Sequence, residues 1–449
     1  MKSVSGIRGI VGKSFTPEIV LHYSSAFGIM SNRGKIVVGR DTRGSGEMLE
    51  KAVFCGLMSV GCNVINLGIC PTPTVQFMVE KQKTNGGIAI TASHNPIEWN
   101  ALKFIGRDGL ILDEKEWERL DNIYEKKRIG YVNWKNVGSI IDYDSAIEEH
   151  IEKILDLPYI SRDKIAQRKF KVVVDCVNGA GGKIIPYLLQ KLGCSVYPLN
   201  CEQSGIFPHG PEPLPENLTE LCEKVKLYGA DIGFAVDPDG DRLAVVDENG
   251  VPLGEEYTLA LAVKYILEKK KGDVVINEST SRAVDDVASE FGVSVKRVKV
   301  GEIYVAQKMR ELGSPIGGEG NGGVILPEVH LGRDAMVGIS IIIQMLAEYD
   351  TSVGKLKKEL PEYYIVKRKI QLSDNVYNKF IKKLSSENLK EDVSLIDGLK
   401  INKKDWWIHI RKSRTEPEVR IICEAKSKKK VEDIYKGVEK IIADISKVG

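Results

Sequence analysis

The chain has 449 residues, 43% of them hydrophobic, and 64 Lys and Arg stand against 62 Asp and Glu. That near balance offers no positive field for nucleic acid, and no apolar run reaches the length that spans a membrane. The length predicts roughly three domains. The start, MKSVSGIRGIVG, lacks the apolar core of a signal peptide, and the eight cysteines show neither a C-x-x-C pair nor zinc spacing, which predicts reduced core residues of a cytoplasmic protein.

In chain order, the first periodic segment is KIVVGRDTRGSGEMLEKAVFCGLMSVGCNVINLG, from Lys35. It reads as a β-branched strand, a polar loop, an amphipathic helix, Gly61 and a second strand. GGIAITASHNPIEWNALK follows, Gly86 to Lys103. Ile88-Ala89-Ile90 reads as a buried strand, and Asn95-Pro96 stops regular structure because proline lacks an N–H and restricts its predecessor. Ser93 is thereby expected at a strand end, where ligands meet backbone in helix-covered sheets. The plainer alternative is a turn whose Ser and Asn satisfy local backbone groups. The polar stretch Tyr124 to Ser145 marks a boundary.

The strand–helix–strand pattern recurs from Lys171, with Gly193, and from Asp273, with Gly292. Three such units predict three α/β domains built on parallel crossovers. Between them lies FAVDPDGDRLAVVDENG, Phe234 to Gly250. Asp237, Asp239 and Asp241 stand at alternate positions between two strands, broken by Pro238 and Gly240. Three carboxylates so close repel unless a cation sits among them, and hard oxygen ligands suit Mg²⁺. A solvated acidic turn is the alternative.

IGGEGNGGVI, Ile316 to Ile325, is glycine-rich, so backbone can approach a ligand closely, and Glu319 and Asn321 are its side chains able to bond sugar hydroxyls. VGISIIIQML, Val337 to Leu346, predicts a buried helix. From about Glu362 the pattern changes to hairpin strands with two helices, an α+β domain. Within it RKSRTEPEVRI, from Arg411, gathers Arg411, Ser413, Arg414 and Thr415 on one loop, donors that suit a phosphate. KSKKK, Lys426 to Lys430, reads as a solvated helix start. The domains are placed at 1–145, 146–253, 254–361 and 362–449. A serine, a cation site, a sugar-sized polar loop and a phosphate clamp, one to each domain, are what phosphoryl transfer on a sugar phosphate requires.

These loops resemble, in order, those of the α-D-phosphohexomutase superfamily. TASHNP resembles its phosphoserine loop, DPDGDR its magnesium loop, GEGNGG its sugar loop and RKSRTEP its phosphate loop; SGIRG and GRDTR are further signatures. SVSGIRGIVG, EWNALK, GEGNGG and GRDA are most similar to the phosphoglucosamine mutase branch, and archaeal phosphomannomutase/phosphoglucomutase enzymes share several of them. The resemblance implies an α/β fold, three related α/β domains with mixed sheets plus a C-terminal α+β domain, around a central cleft. It implies that Ser93 is phosphorylated and coordinates Mg²⁺ with Asp237, Asp239 and Asp241. Arg8 and Arg242 would stabilise the transferring group beside His94. Lys103, with a pKa depressed by nearby cations, would act as general acid/base. Glu319 and Asn321 would hold hydroxyls, and Arg411, Ser413, Arg414 and Thr415 the idle phosphate. The implied reaction interconverts hexose 6-phosphate and hexose 1-phosphate through a 1,6-bisphosphate, with glucosamine 6-phosphate as the first choice of substrate and mannose or glucose phosphates as the alternative. Hexose phosphate is the expected partner, without nucleic acid or membrane, and monomer and homodimer both remain open.

The pattern departs at three places. Gly323 replaces the histidine that often ends the sugar loop, with His330 a candidate substitute. Arg414 stands between the Ser and Thr of the phosphate loop, and SVS replaces FGT near the start. Two other classes stay on the table. A haloacid-dehalogenase-type phosphatase would use Asp237 as nucleophile. A sugar-phosphate sensor would need neither Ser93 nor the carboxylates.

Overall fold

The computed structural model describes residues 2–3, 6–386, 392–413 and 418–447. Four sheets are laid out along the chain. The first runs Lys2–Ser3, Gly6–Ile10, Trp99–Ile105, Gly86–Ile90, Lys35–Arg40, Asn63–Ile69, Ile140–Asp142. The second is Leu243–Val246, Ile232–Val236, Lys171–Asp175, Ser195–Leu199, and the third Val295–Val298, Val274–Asn277, Gly317–Glu319, Gly323–Leu326, His330–Arg333. The fourth, Tyr364–Ile370, Val419–Ala425, Trp406–Lys412, Leu399–Asn402, Val393–Ser394, is antiparallel throughout.

The three predicted strand–helix–strand units form as expected. Lys35–Arg40 pairs parallel with Asn63–Ile69, Lys171–Asp175 with Ser195–Leu199, and Val274–Asn277 with Val295–Val298, each pair joined by one helix. The fold is therefore α/β with mixed sheets, followed by an α+β unit. One difference lies in the polar segment before Ser145: its residues Ile140–Asp142 add a parallel edge strand to the first sheet, beside Asn63–Ile69.

Local chemistry sets the helix ends. Thr16 accepts the Ile19 N–H, with Pro17 at the first helical position, to start Pro17–Met30. Asp113 and Glu116 form a reciprocal capping box on Glu114–Glu125. Asp334 accepts the N–H groups of Met336 and Val337 to begin Ala335–Tyr349, which buries all of Val337 to Leu346. Lys426 to Lys430 are exposed, as a solvated helix start should be.

The first and fourth sheets have cores of their own, whereas one continuous apolar cluster from Ile151 to Tyr363 serves both the second and third. Five cysteines are buried as expected, but Cys201 and Cys222 are half-buried and Cys55 is exposed; none forms a disulfide. No helix among the described residues is long and apolar enough to cross a membrane. One feature of the topology bears directly on the site. All four loops singled out in the sequence join antiparallel neighbours: Gly86–Ile90 to Trp99–Ile105, Ile232–Val236 to Leu243–Val246, Gly317–Glu319 to Gly323–Leu326, and Trp406–Lys412 to Val419–Ala425.

Candidate active site

Ser93 is buried and lies just past its strand, in the left-handed region at φ 50°. For a residue with a Cβ that conformation costs about 1–2 kcal/mol, so surrounding structure must impose it. Arg43 does so. Its guanidinium, almost wholly buried, donates to the carbonyls of Ser93 at 2.6 Å, Asn95 at 2.7 Å and Pro96 at 2.7 Å. Asp41 aims it through Nε at 3.0 Å, and also accepts from the Thr91 hydroxyl, which in turn accepts the Ser93 N–H at 2.9 Å. The Phe207 ring covers the guanidinium at 4.9 Å.

The Ser93 hydroxyl thereby reaches across to the second unit and donates to Asp237 Oδ2 at 2.7 Å. Asp237, Asp239 and Asp241 are all buried, with candidate ligand atoms within 4.8 Å of one another. The other Asp237 oxygen accepts the N–H groups of Asp241 and Arg242. Asp239 Oδ2 is held by Thr72 and Lys103, both at 2.6 Å; Asp241 Oδ2 by Arg333 at 2.6 Å and Lys103 at 3.2 Å. The Oδ1 atoms of Asp239 and Asp241 are buried and, among the described residues, accept no hydrogen bond. Burial, then the charges of Asp241 and Asp239, push the Asp237 carboxyl well above its ordinary range. One oxygen fixed by an outer donor and one left over is how carboxylate ligands are arranged around a hard divalent cation. The donor set fits Mg²⁺.

Lys103 departs from expectation. Burial alone would lower its pKa, but Asp239 and Asp241 outweigh burial and raise it, so the side chain is held as an ammonium ion. The depressed value argued from nearby cations is corrected: carboxylates, not arginines, are its first neighbours. His94 lies with Nδ1 3.4 Å from the Ser93 hydroxyl; burial and the charges of Arg242 and Arg8 lower its pKa well below the usual value, which keeps the imidazole neutral. Arg8 donates to the Asn95 side chain at 3.2 Å, and Arg242 to Glu212 at 2.5 Å.

The sugar loop packs on the metal loop. Gly322 O accepts the Leu243 N–H at 3.1 Å, and Ala335 N–H donates to Gly240 O at 3.2 Å. The glycines of this loop are also closely packed within the protein. A Cβ on Gly320 would meet Glu256 Oε2 at 1.9 Å, and one on Gly322, at φ +85°, the Leu243 carbonyl at 2.2 Å. Glu319 is buried; Oε1 accepts from Asn277 Nδ2 and the Gly301 N–H, and Oε2 from Arg333 Nη1 at 2.7 Å. Asn321 folds back to accept the Gly323 N–H at 3.2 Å. His330, the candidate substitute for the missing histidine, is buried against Asp334 at 3.2 Å, its ring steeply inclined to that of His150.

From the fourth unit, Lys367 donates to Gly320 O at 2.9 Å. Arg411 is buried, with Nε 3.9 Å from Asp397, whose carboxylate accepts the Val300 N–H beside Gly301. Ser413 donates its N–H to Glu418 O at 2.8 Å. Arg414 and Thr415 lie outside the described residues. Several residues of the site escaped sequence reasoning: Arg43, Thr72 and Arg333. Arg43 sat in a quoted signature, GRDTR, and Arg333 in GRDA, but nothing local says where a buried guanidinium points.

Matches to known proteins agree with this geometry. The phosphoglucomutase/phosphomannomutase alpha/beta/alpha domains I, II and III match residues 2–129, 148–250 and 254–364, and the C-terminal domain of the same family matches 366–441. A probable phosphoglucosamine mutase of Methanopyrus kandleri is 36% identical over 96% of this chain and 95% of its own. A phosphoglucomutase/phosphomannomutase of Thermococcus kodakarensis is 38% identical over 95% of each. The crystal structure of a phosphoglucomutase/phosphomannomutase family protein from Burkholderia thailandensis superposes with a TM-score of 0.86 at 27% identity, over 99% of this chain and 98% of that one. The chain belongs to this family, within the α-D-phosphohexomutase superfamily, and has phosphohexomutase activity, that of an intramolecular phosphotransferase of the isomerase class.

Proposed function

We propose that the chain interconverts hexose 6-phosphate and hexose 1-phosphate through a phosphorylated Ser93 and a hexose 1,6-bisphosphate, with Mg²⁺ held by Asp237, Asp239, Asp241 and the Ser93 phosphoryl oxygen. The observation that carries this reading is the Ser93 hydroxyl 2.7 Å from a buried aspartate trio with two unbonded oxygens. Four domains, 1–145, 146–253, 254–361 and 362–449, each supply one loop. Mg²⁺, when bound, draws electron density from the phosphoryl group and screens the approaching anion.

The residues divide the rest. Ser93 gives its phosphoryl group to a sugar hydroxyl: the Oγ–P bond breaks, an O–P bond to the sugar forms, and the hydroxyl proton passes to His94. Arg8 and Arg242 face the anion, and Lys103, an ammonium ion beside the carboxylates, is placed to donate a proton to the departing Oγ. Neutral His94 is the proton acceptor next to Ser93. Glu319 and Asn321 bind hydroxyls in both orientations of the bisphosphate, and Arg411 and Ser413, with Arg414 and Thr415, grip the idle phosphate while the sugar turns end over end.

Glucosamine 6-phosphate is the proposed substrate, on the name of the Methanopyrus relative; the Thermococcus relative keeps mannose and glucose phosphates as the alternative. The test is a coupled assay of the full chain on the three 6-phosphates, with Mg²⁺ and glucose 1,6-bisphosphate. The expected result is a kcat/KM for glucosamine 6-phosphate about tenfold above the others, and acid-stable phosphate on Ser93. An acyl-phosphate on Asp237, or no 1-phosphate from any of the three, would overturn it.

A further inference from the structure

Gly323 is glycine for want of space rather than for backbone freedom. Its φ lies outside the left-handed region, yet a Cβ there would stand 2.3 Å from Arg333 Cδ and 2.9 Å from Cγ. Those are stem atoms, and the stem cannot step aside because its head is held at every nitrogen. Nε donates to Glu302 at 3.0 Å, Nη1 to Glu319 at 2.7 Å and Nη2 to Asp241 at 2.6 Å. The Arg333 stem therefore fills the volume that a side chain at 323 would use.

The three carboxylates come from three places. Glu302 opens the helix Glu302–Leu312 and also accepts from Gln76 of the first unit at 2.9 Å; Glu319 belongs to the sugar loop; Asp241 belongs to the metal loop. A guanidinium is planar, and its nitrogens diverge at fixed angles, so carboxylates bound to two of them are held in a fixed mutual position. In a buried setting the shared cation also offsets a repulsion that would otherwise drive the loops apart. A lysine could supply the charge but not the fork.

We propose that Arg333 is a positioning residue that sets the stance of the sugar loop relative to the metal loop by holding Glu319 against Asp241, and that Gly323 is its obligate companion. This rests on the reading of Glu319 as a sugar ligand. Arg333 acts on the hexose through Glu319, so the two substitutions should not multiply.

Two measurements test it. In the full chain carrying Ser93→Ala, which prevents turnover, calorimetry with glucosamine 6-phosphate should show binding about tenfold weaker for Arg333→Met and for Glu319→Ala, and no further loss in the combined variant. Arg333→Lys should recover little. In the absence of ligand, Gly323→Ala should lower the melting temperature by about 2–4 °C with Arg333 in place and leave it unchanged on the Arg333→Met background. If Gly323→Ala alone does not fold, recovery of folding by Arg333→Met supports the pairing. Multiplying losses in binding, or an equal melting cost on both backgrounds, would overturn the proposal. Should the Ser93→Ala chain bind no glucosamine 6-phosphate at all, the substrate reading fails, and the melting cycle still decides whether Arg333 and Gly323 act as one.

Discussion

The serine loop and the sugar loop are each organised around one buried arginine, and the two arginines do different work. Arg43 bonds three carbonyls within a single loop, all neutral acceptors, and so dictates the shape of that loop. Arg333 bonds three carboxylates on separate segments, and so dictates where those segments stand relative to each other. Ser93 carries backbone strain that Arg43 must hold, whereas the sugar loop uses glycine to relieve crowding. Shape bears on the reacting atom, and stance bears on the bound sugar. The first should appear in kcat and the second in KM.

The largest effect expected is from Ser93→Ala, which keeps the loop but removes the phosphoryl carrier. Turnover should fall by roughly 10⁴-fold or more with sugar-phosphate binding largely kept, measured by coupled kinetics and calorimetry. Chelation of divalent cations should likewise remove activity, and added Mg²⁺ should restore it; activity that survives exhaustive chelation would separate the aspartate trio from the reaction. Arg43→Ala should lower kcat by about 10²-fold with KM little changed, because a displaced Ser93 misses its near-attack position. Leaving the wholly buried Asp41 without its cation should also destabilise the chain by about 3–5 kcal/mol, read in denaturant unfolding. Arg333→Met should do the reverse in kinetics, raising KM about tenfold and touching kcat less. If both arginines moved the same parameter, the contrast between shape and stance would be lost.

A separate effect, on stability and not on kinetics, lies outside both loops, at the seam between the third and fourth units. Ser279 donates to His409 there. Burial, helped by the charges of Lys400 and Arg411, lowers the His409 pKa from 6.5 to about 4 against the upward pull of Asp397. Above pH 6.5 the imidazole is neutral in both folded and unfolded chains and contributes no pH dependence. As pH falls from 6.5 to about 4 the unfolded chain takes up a proton that the folded chain refuses, so stability drops by about 3 kcal/mol from this group. Unfolding of the unvaried chain and of His409→Asn, compared at pH 7 and pH 4.5, should show a shallower loss in the variant; equal losses would remove His409 from the account.

Much of the architecture was legible because it is local. Apolar periodicity marked the three parallel crossovers, and the switch to hairpin strands marked the last unit. The alternate spacing of Asp237, Asp239 and Asp241 was itself a statement about charge. What could not be read is which distant groups share a hole with those charges. Thr72 meets Asp239 across 167 positions, Lys103 across 136, and Arg333 meets Asp241 across 92. That is why Lys103 was assigned the wrong direction of pKa shift: its sequence neighbours say nothing of the two carboxylates that hold it. Nor does the sequence say that the glycines of the sugar loop make room for Glu256, Leu243 and Arg333.

By itself, the order of residues determined the three parallel crossovers, the change to hairpin strands in the last unit and the chemical character of the four loops. Tertiary structure alone decided which cation sits on which carboxylate and which side chain fills the place left by Gly323. The reason is physical: periodicity and turn chemistry act over a few residues, whereas the energy of a buried charge depends on whatever the whole fold brings within a few ångströms of it.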